Sequence, residues 1–558
     1  MRYFTIVFIV LFFGFNSLSA QNTVGVIGYN ENQVSAGYNL FYPLVQNNVY
    51  LIDNCGRIVN QWNDAGFVPG SSVELLPNGN LLKTSSLSFA SGSGLIALAG
   101  AGDMVHLKDW DNNTLWQYSV SSATERMHHD IKAMPNGNVL ILAWEKKSGA
   151  LSSAAGRDTL LTAPNDFLYS DFLIEVEPVG ADGGNIVWRW NVWDHFVQDF
   201  DATKNNFGVV AEHPELININ YPPGDNSVDW LHTNAIDYHP DLDQVLISSP
   251  SFNEVWIIDH STTTEEAASH NGGNSNKGGD LIYRWGNPAA YNMGDSADQK
   301  LFFQHDPHWI AQGLDNTDVD YGKLLVFNNQ AGEDFSTVNI FAPQWNGSAY
   351  ETLDNGTYGP ANFEFTYQAA VPQDLYSNNV SGVQKLANGN LLICSGVQKK
   401  AIEVTPQNEI VWQYVNPVKS SSGGAIEQGT PNPNGSLLFR FNRYAKNFSG
   451  FDGKDLTPTD FIELNGRPVN NSCDLDISVN EIKNNTNINV WPNPATEYII
   501  IKSDLLLNDI ELIGANGKIV VSEKPNQLFY KIPNLKTFSN GLYYIVVNKQ
   551  YFTKIYLY

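Results

Sequence analysis

The sequence predicts an all-β protein, a six-bladed β-propeller followed by a small β-sandwich-like C-terminal domain. Three observations predict it: a strand-and-turn unit that recurs six times, Asn-Gly turns between alternating apolar strands, and a change of composition after Asn465. Aromatic residues at 12%, 45 Gly and 26 Pro fit many short strands better than long helices. The 558 residues exceed the usual length of one compact domain unless the fold is a large repeat or a closed ring.

Residues 1–20 read as a signal peptide. Arg2 supplies the positive start, Phe4 to Phe15 is almost wholly apolar, and Ser19-Ala20 offers a small-residue cut before Gln21. The apolar run is shorter than the ~20 residues a spanning helix needs, and no later segment reads as transmembrane. Export is the expectation, to the cell surface or medium via the periplasm.

Residues 21–465 carry the repeat. One unit runs from VYLID (Val49–Asp53) through Trp62 to VELLPNGNLLKT (Val73–Thr84), and the next from TLWQY (Thr114–Tyr118) to HDIKAMPNGNVLIL (His129–Leu142). The third joins IVWRW (Ile186–Trp190) to HTNAIDYHPDLDQVLIS (His232–Ser248), and the fourth joins LIYRW (Leu281–Trp285) to QHDPHWI and LLVFNN. In the fifth, FEFTYQ takes the Trp-strand place before VQKLANGNLLICSG, and the sixth joins IVWQY to PNPNGSLLFRF. Asn and Gly tolerate the positive φ of tight hairpins. The recurring Trp is expected to pack between adjacent sheets. A linear β-solenoid would need shorter, stricter repeats, so a ring of six blades is predicted, with seven as the fallback.

Residues 466–489 are Asn-rich and polar and read as a linker. Residues 490–558 alternate as strands with turn punctuation: WPNPATEYIIIKS, IELIGANGKIV and GLYYIVV. This segment resembles the C-terminal sorting domain of the type IX secretion system, through Pro492-Asn493-Pro494, Gly517-Lys518 and Gly541-Leu542-Tyr543, although KIYLY is a less basic ending than usual. The resemblance implies the type IX secretion machinery as a partner.

The formal net charge is −26, from 32 basic and 58 acidic residues. Such a chain is repelled by phosphate backbones and anionic lipid, which excludes nucleic acid as a partner. An anionic substrate would have to be drawn by local donors, since surface charges beyond about 8 Å are screened at physiological ionic strength. The three cysteines, Cys55, Cys394 and Cys473, lack metal-type spacing, and their odd number leaves at least one unpaired within the chain.

Of 11 histidines, three sit at matching points of consecutive repeats: His129, His232 and His305. Equivalent positions on successive blades are related by rotation about the central axis, so the three imidazoles should converge on the channel mouth. Three histidines can hold zinc. Asp130 and Asp306 lie beside two of them but alternate to the opposite strand face, making poor co-ligands. No metal and no cofactor is assigned, and nucleophilic or acid–base chemistry is preferred.

The strings HHDIKAMPNGN, DWLHTNAIDYHPDLDQVLIS, EVWIIDHST, RWGNP, QHDPHWI and FRFNRYA, in this order over residues 35–465, resemble the bacterial nucleotide-independent arylsulfotransferases. The resemblance implies a six-bladed propeller and a ping-pong transfer of a sulfuryl group from an aryl sulfate to a phenol through a sulfohistidine. His305 matches the nucleophile, His232 the histidine of HxNAIDY, and His129 that of the HHD string; His128 is its neighbour, and strand register could exchange the two. Asn234 is a further substrate-binding candidate. No PAPS-binding phosphate loop is visible. Where the family often has an arginine after HxNAIDY, this chain has SSPSFNE, with Pro250 at that place. Arg440 and Arg443 are the candidate substitutes, while Arg284 reads as structural. The main alternative, which loss of that arginine favours, is a propeller that binds a sulfated or aromatic ligand at the same channel without turnover; a sulfatase-like hydrolase is another, and a structural or adhesion role comes third.

Overall fold

The computed structural model describes residues 22–558 except 45, 65, 88–97, 163–165, 223–226, 312–316, 422, 471, 474–487, 515–517 and 549–550. The expected signal peptide and most of the expected linker lie outside the described residues. The fold is all-β, 46% strand against 7% helix. The described residues divide into two compact units between Val469 and Asn470.

The first unit contains six antiparallel sheets laid out consecutively along the chain. Sheet I is Leu438–Ala445, Gly37–Pro43, Asn48–Asp53 and Ile58–Asn63, in spatial order. Sheet II is Val68–Leu75, Leu81–Ser86, Met104–Lys108 and Thr114–Ser119; sheet III is Glu125–Ala133, Val139–Ser148, Phe167–Val179 and Gly183–Asn191. Sheet IV is Ala235–His239, Gln244–Ser249, Glu254–Asp259 and Leu281–Trp285; sheet V is His305–Trp309, Leu324–Gly332, Phe335–Phe341 and Phe365–Tyr367. Sheet VI is Gly382–Lys385, Leu391–Ser395, Lys400–Val404 and Ile410–Val415, with Gly25–Tyr29 added at its edge.

The first strand of each sheet touches the first strand of the next, and Leu438–Ala445 of sheet I touches Val68–Leu75 of sheet II, so these contacts form a cycle. The sequence repeat is out of phase with the sheets. VYLID and the Trp62 strand are the outer half of sheet I, whereas VELLPNGNLLKT forms the inner half of sheet II.

Local chemistry explains the repetition. The PNG and ANG turns put Gly79, Gly137 and Gly389 at φ of 81°, 90° and 86°, a region that penalises any Cβ. Each turn closes with the same pair of backbone bonds, for example Gly79 N–H to Leu76 and Leu76 N–H to Asn80. The recurring tryptophans stitch neighbouring sheets together. Trp62 donates its indole N–H to the Asp109 carbonyl, Trp116 to Gly183, Trp188 to the Thr262 hydroxyl, Trp285 to Pro360 and Trp412 to Asn54. Each indole therefore buries apolar area and satisfies its one donor together. Sheet V has no such tryptophan, and Tyr367 takes the buried place.

Carboxylates on the first strands of the sheets do the same. Asp130 accepts the Ile236 N–H, Asp237 the Trp309 N–H and Asp306 the Val383 N–H, each from the following sheet. Arg284 is fully buried, with Nε donating to Glu254 at 2.9 Å and Nη1 to the Leu216 carbonyl, as expected of a structural residue. Among the described residues Cys394 is a free, buried thiol, and burial pushes its pKa up.

The second unit holds a three-stranded sheet (Ile488–Trp491, Ile499–Leu507, Gln527–Ile532) and a four-stranded sheet (Ile519–Glu523, Ile510–Gly514, Gly541–Val547, Tyr551–Leu557). Alternate residues such as Ile499, Ile501, Leu512, Ile545 and Ile555 form its core. Asn493 of the Pro-Asn-Pro string donates to the Lys554 carbonyl and accepts the Tyr556 N–H, so the motif clamps the last strand. Gly517 lies outside the described residues.

Candidate active site

The three histidines selected from the repeat come together. The His129 and His232 ring centroids lie 5.0 Å apart, and His129 and His305 flank Phe439 at 6.1 and 6.4 Å. Phe303 completes the cluster, 5.9 Å from His232 and 6.0 Å from His305. Neither strand runs regularly here: the pairing of Glu125–Ala133 shifts register between Ile141 and Ala143, and that of His305–Trp309 between His305 and His308. His129 and His232 both adopt φ of 50°, uncommon for a residue with a side chain and a frequent mark of functional sites.

Each imidazole is oriented from behind by a different partner. His232 Nδ1 is 2.5 Å from Asp229 Oδ2, and Asp229 is itself held by the Trp144 indole N–H at 3.0 Å. With Nδ1 committed, Nε2 is the free nitrogen of His232. His305 Nδ1 lies 2.8 Å from Asn329 Oδ1, whose own amide donates to the Ser377 and Val380 carbonyls. That donor pattern fixes Asn329 Oδ1 as an acceptor, so Nδ1 of His305 carries the proton and Nε2 the lone pair. Nε2 accepts the Val380 N–H at 3.1 Å. His129 Nδ1 is 2.9 Å from His128 Nδ1. His128 stacks on Trp144 at 3.9 Å, with Nε2 at 3.4 Å from Asp171 Oδ1. Register thus gives His129 to the cluster and His128 to the support behind it.

The environment splits the protonation states. Burial holds His129 well below the ordinary histidine range, reinforced by His232 and His128. Burial likewise drives His305 down to about 3, against the Asn329 hydrogen bond. Burial also opposes charge on His232, but the hydrogen bond and charge of Asp229 outweigh it and raise that pKa. His232 is also the most open of the three, with 23% of its side chain exposed against a nearly sealed His305.

Arg440 lies beside the histidines but is not a free cation. Its Nη1 and Nη2 donate to both oxygens of Asp130 at 2.7 Å, and Nε lies 2.8 Å from Asp306. Asp130 and Asp306 thus point away from the imidazoles. Beyond this triad a cavity of about 340 Å³ opens, lined by Glu74, Lys132, Asp237, His308, Arg440 and Tyr444 among others. Arg443 is not brought to the site. Three residues along a strand is an odd step, so it faces away from Arg440, where it pairs with Glu403 and donates from Nε to Asn39 at 2.7 Å. Asn234 is buried and donates to the Gln304 carbonyl at 2.9 Å, bracing the residue before His305. Pro250 is buried in the turn closed by Asn253 N–H to its carbonyl.

Sequence reasoning missed Asp229, Asn329, Phe303 and Phe439. Only Asp229 had a local signal, three residues before His232 in DWLH. Among the described residues, one set of His, Cys, Asp or Glu donors closes to metal-binding spacing, and it is not this cluster.

The fold is thus one of repeated antiparallel sheets on which three histidines converge. The arylsulfotransferase (ASST) family model matches residues 40–427, and the chain belongs to that family. The secretion system C-terminal sorting domain matches residues 489–555, which makes the protein a secreted or cell-surface one. No helix among the described residues is long and apolar enough to cross a membrane. No curated protein matches the chain. Among solved structures it is similar to a protein of unknown function from Bacteroides caccae, at 14% identity over 73% of this chain and 99% of that one, TM-score 0.37. It is also similar to the periplasmic gluconolactonase PpgL of Pseudomonas aeruginosa, at 11% identity over 73% and 99%, TM-score 0.34. A third is virginiamycin B lyase of Staphylococcus aureus, at 10% over 72% and 91%, TM-score 0.31.

Proposed function

We propose that the six sheets are the blades of a six-bladed propeller and that the histidine cluster at its axis moves a sulfuryl group from an aryl sulfate to a phenol in two steps. The carrying observation is the convergence of three imidazoles whose surroundings push their protonation states apart, the pattern that separates a nucleophile from an acid.

In the first step the Nε2 lone pair of His305 attacks sulfur. The N–S bond forms as the S–O bond to the aryl group breaks, and His232, charged beside Asp229, gives its Nε2 proton to the departing phenolate. The Val380 N–H, released from Nε2, stands within reach of a sulfuryl oxygen, where charge stabilisation counts most for a loose transition state. In the second step neutral His232 takes the proton of an incoming phenol, its oxygen attacks sulfur, and the N–S bond breaks. Phe303 and Phe439 supply faces for the aryl ring. His129, kept neutral, donates or accepts a hydrogen bond without repelling His232.

The test is p-nitrophenyl sulfate with and without added phenol. Acceptor-dependent nitrophenol release that is lost in His305→Ala is the expected result. Acceptor-independent release identifies a hydrolase. The binding-only reading draws on the saturation of Arg440 by Asp130 and Asp306, which leaves it no clamp for the sulfuryl oxygens, and predicts binding of aryl sulfates without turnover.

A further inference from the structure

Away from the histidine cluster, sheets III and IV bring together His195, His270 and Asp280. His195 follows the turn Val192–Asp194 that leaves the outer strand of sheet III. His270 and Asp280 bracket the loop between the short helix Thr264–Ala267 and the outer strand Leu281–Trp285 of sheet IV. Nδ1 of His195 and Nδ1 of His270 each lie 2.8 Å from the same oxygen, Asp280 Oδ1, and the three donor atoms fall within 4.8 Å of one another.

The tautomer of His195 is set from its other side. Its Nε2 is 2.9 Å from the Ala267 carbonyl, which can only accept, so Nε2 carries a proton. Nδ1 faces the Asp280 carboxylate, so that position holds either a second N–H or a lone pair that shares a cation with Oδ1, inside a site where His195 is fully buried. A divalent cation can take the place of that proton, and an imidazole N–H held by a backbone carbonyl is the usual support of a metal-bound histidine.

The surroundings are built for this arrangement. The Trp190 ring lies nearly parallel to His195 at 5.8 Å, and its indole N–H donates to the Gly279 carbonyl. A Cβ at Gly279 would stand 2.0 Å from the Ala267 oxygen and 2.6 Å from His195 Nε2, so the contact requires glycine there. The Gly279 and Gly278 N–H groups bond back to Ser269 and Gly272, which pins the loop that carries His270. His270 is exposed and borders a cavity of about 350 Å³ that also touches Trp193, Phe207 and His213, giving a solvent path to the site.

We infer that His195 Nδ1, His270 Nδ1 and Asp280 Oδ1 bind one divalent transition cation of the zinc class, with the remaining position open towards that cavity. Two imidazoles and one carboxylate suit zinc, whereas calcium and magnesium take oxygen sets. Tetrahedral bonds of about 2.0–2.1 Å need donor separations of roughly 3.3 Å, an opening of about half an ångström from the cation-free distances.

The test is calorimetric titration of chelator-treated full chain with Zn2+, with Co2+ absorption as the report on geometry. One equivalent should bind to the wild type and to His232→Ala. His270→Ala, at an exposed position that leaves the fold intact by circular dichroism, should weaken binding at least about 100-fold and abolish the tetrahedral Co2+ bands. Gly279→Ala, whose added Cβ crowds both the Ala267 carbonyl and the His195 ring, should weaken binding by about 10-fold or more. Aryl sulfate turnover should be unchanged in His270→Ala, so the result stands apart from the transferase reading. Absence of Zn2+ binding in the wild type, or equal binding in His270→Ala, overturns the inference, as does loss of the equivalent in His232→Ala.

Discussion

Asp229 is the residue that gives the cluster its division of labour. Three buried imidazoles within a few ångströms would all be neutral, and His129 and His305 are held that way by burial. The carboxylate behind His232 reverses the balance for that ring alone. Activity that needs charged His232 should fall as pH rises through its raised pKa, while His305, neutral above about 3, sets no limb in the working range. Asp229→Asn keeps the shape and removes the charge. The basic limb of kcat/KM against pH should then move to lower pH with circular dichroism unchanged, and an unmoved limb would contradict the role given to His232. The other residue-scale lesson is Arg440 and Arg443. Strand alternation alone forbids both from lying on one face of the strand, and the structure pairs one with Asp130 and Asp306 and the other with Glu403.

Between elements, buried polar groups join the sheets as much as apolar contacts do. His260 follows the third strand of sheet IV and bridges Glu175 of sheet III and Asp243 of its own sheet at 2.9 and 2.8 Å. Burial lowers its pKa, but the two carboxylates more than compensate and bring it to about 9. A folded value above the unfolded value of about 6.5 means that this contribution is fully present below 6.5 and disappears as pH rises through 9. The size is on the order of 3 kcal/mol. The thermal midpoint of the wild type should therefore fall between pH 6.5 and 9 more steeply than that of His260→Gln, which carries no charge to lose. Parallel pH profiles for the two proteins would refute the bridge. The tryptophan stitches are the neutral counterpart of such links, and the one sheet without an indole donor is the one whose outer repeat is blurred in the sequence.

For the whole first unit, closure depends on the chain's return. Leu438–Ala445 arrives after all other sheets are laid down, pairs with Gly37–Pro43, and supplies Phe439 and Arg440 at once. A chain ended at Leu437 loses the inner strand of sheet I, the wall beside His129 and His305, and the counter-ion of Asp130. We expect it to unfold without a cooperative transition, measured by thermal circular dichroism. A cooperative melt near that of the full chain would show that closure is not required.

Much of this was legible without coordinates because it is periodic. Alternation placed the strands, and Asn-Gly pairs placed the hairpins. The common phase of His129, His232 and His305 marked one point of the repeat, which a regular stacking of sheets turns into one place in space. The sheet boundaries were misphased by two strands because a repeat has no intrinsic starting point, and the start was decided by which strands pair. Asn329, Phe303 and Phe439 escaped notice since nothing in their neighbourhoods repeats.

The sequence by itself determined the all-β character, the family membership carried by residues 40–427, the sorting tail and the histidines that meet, all of which follow from local pattern. Only the tertiary structure decided which nitrogen of each imidazole is engaged, which carboxylates each arginine is spent on, and that His195 and His270 meet one oxygen of Asp280. Those properties depend on atoms brought together from strands far apart in the chain. Hydrogen-bond geometry and desolvation act over a few ångströms of space, and separation along the sequence carries no record of that distance.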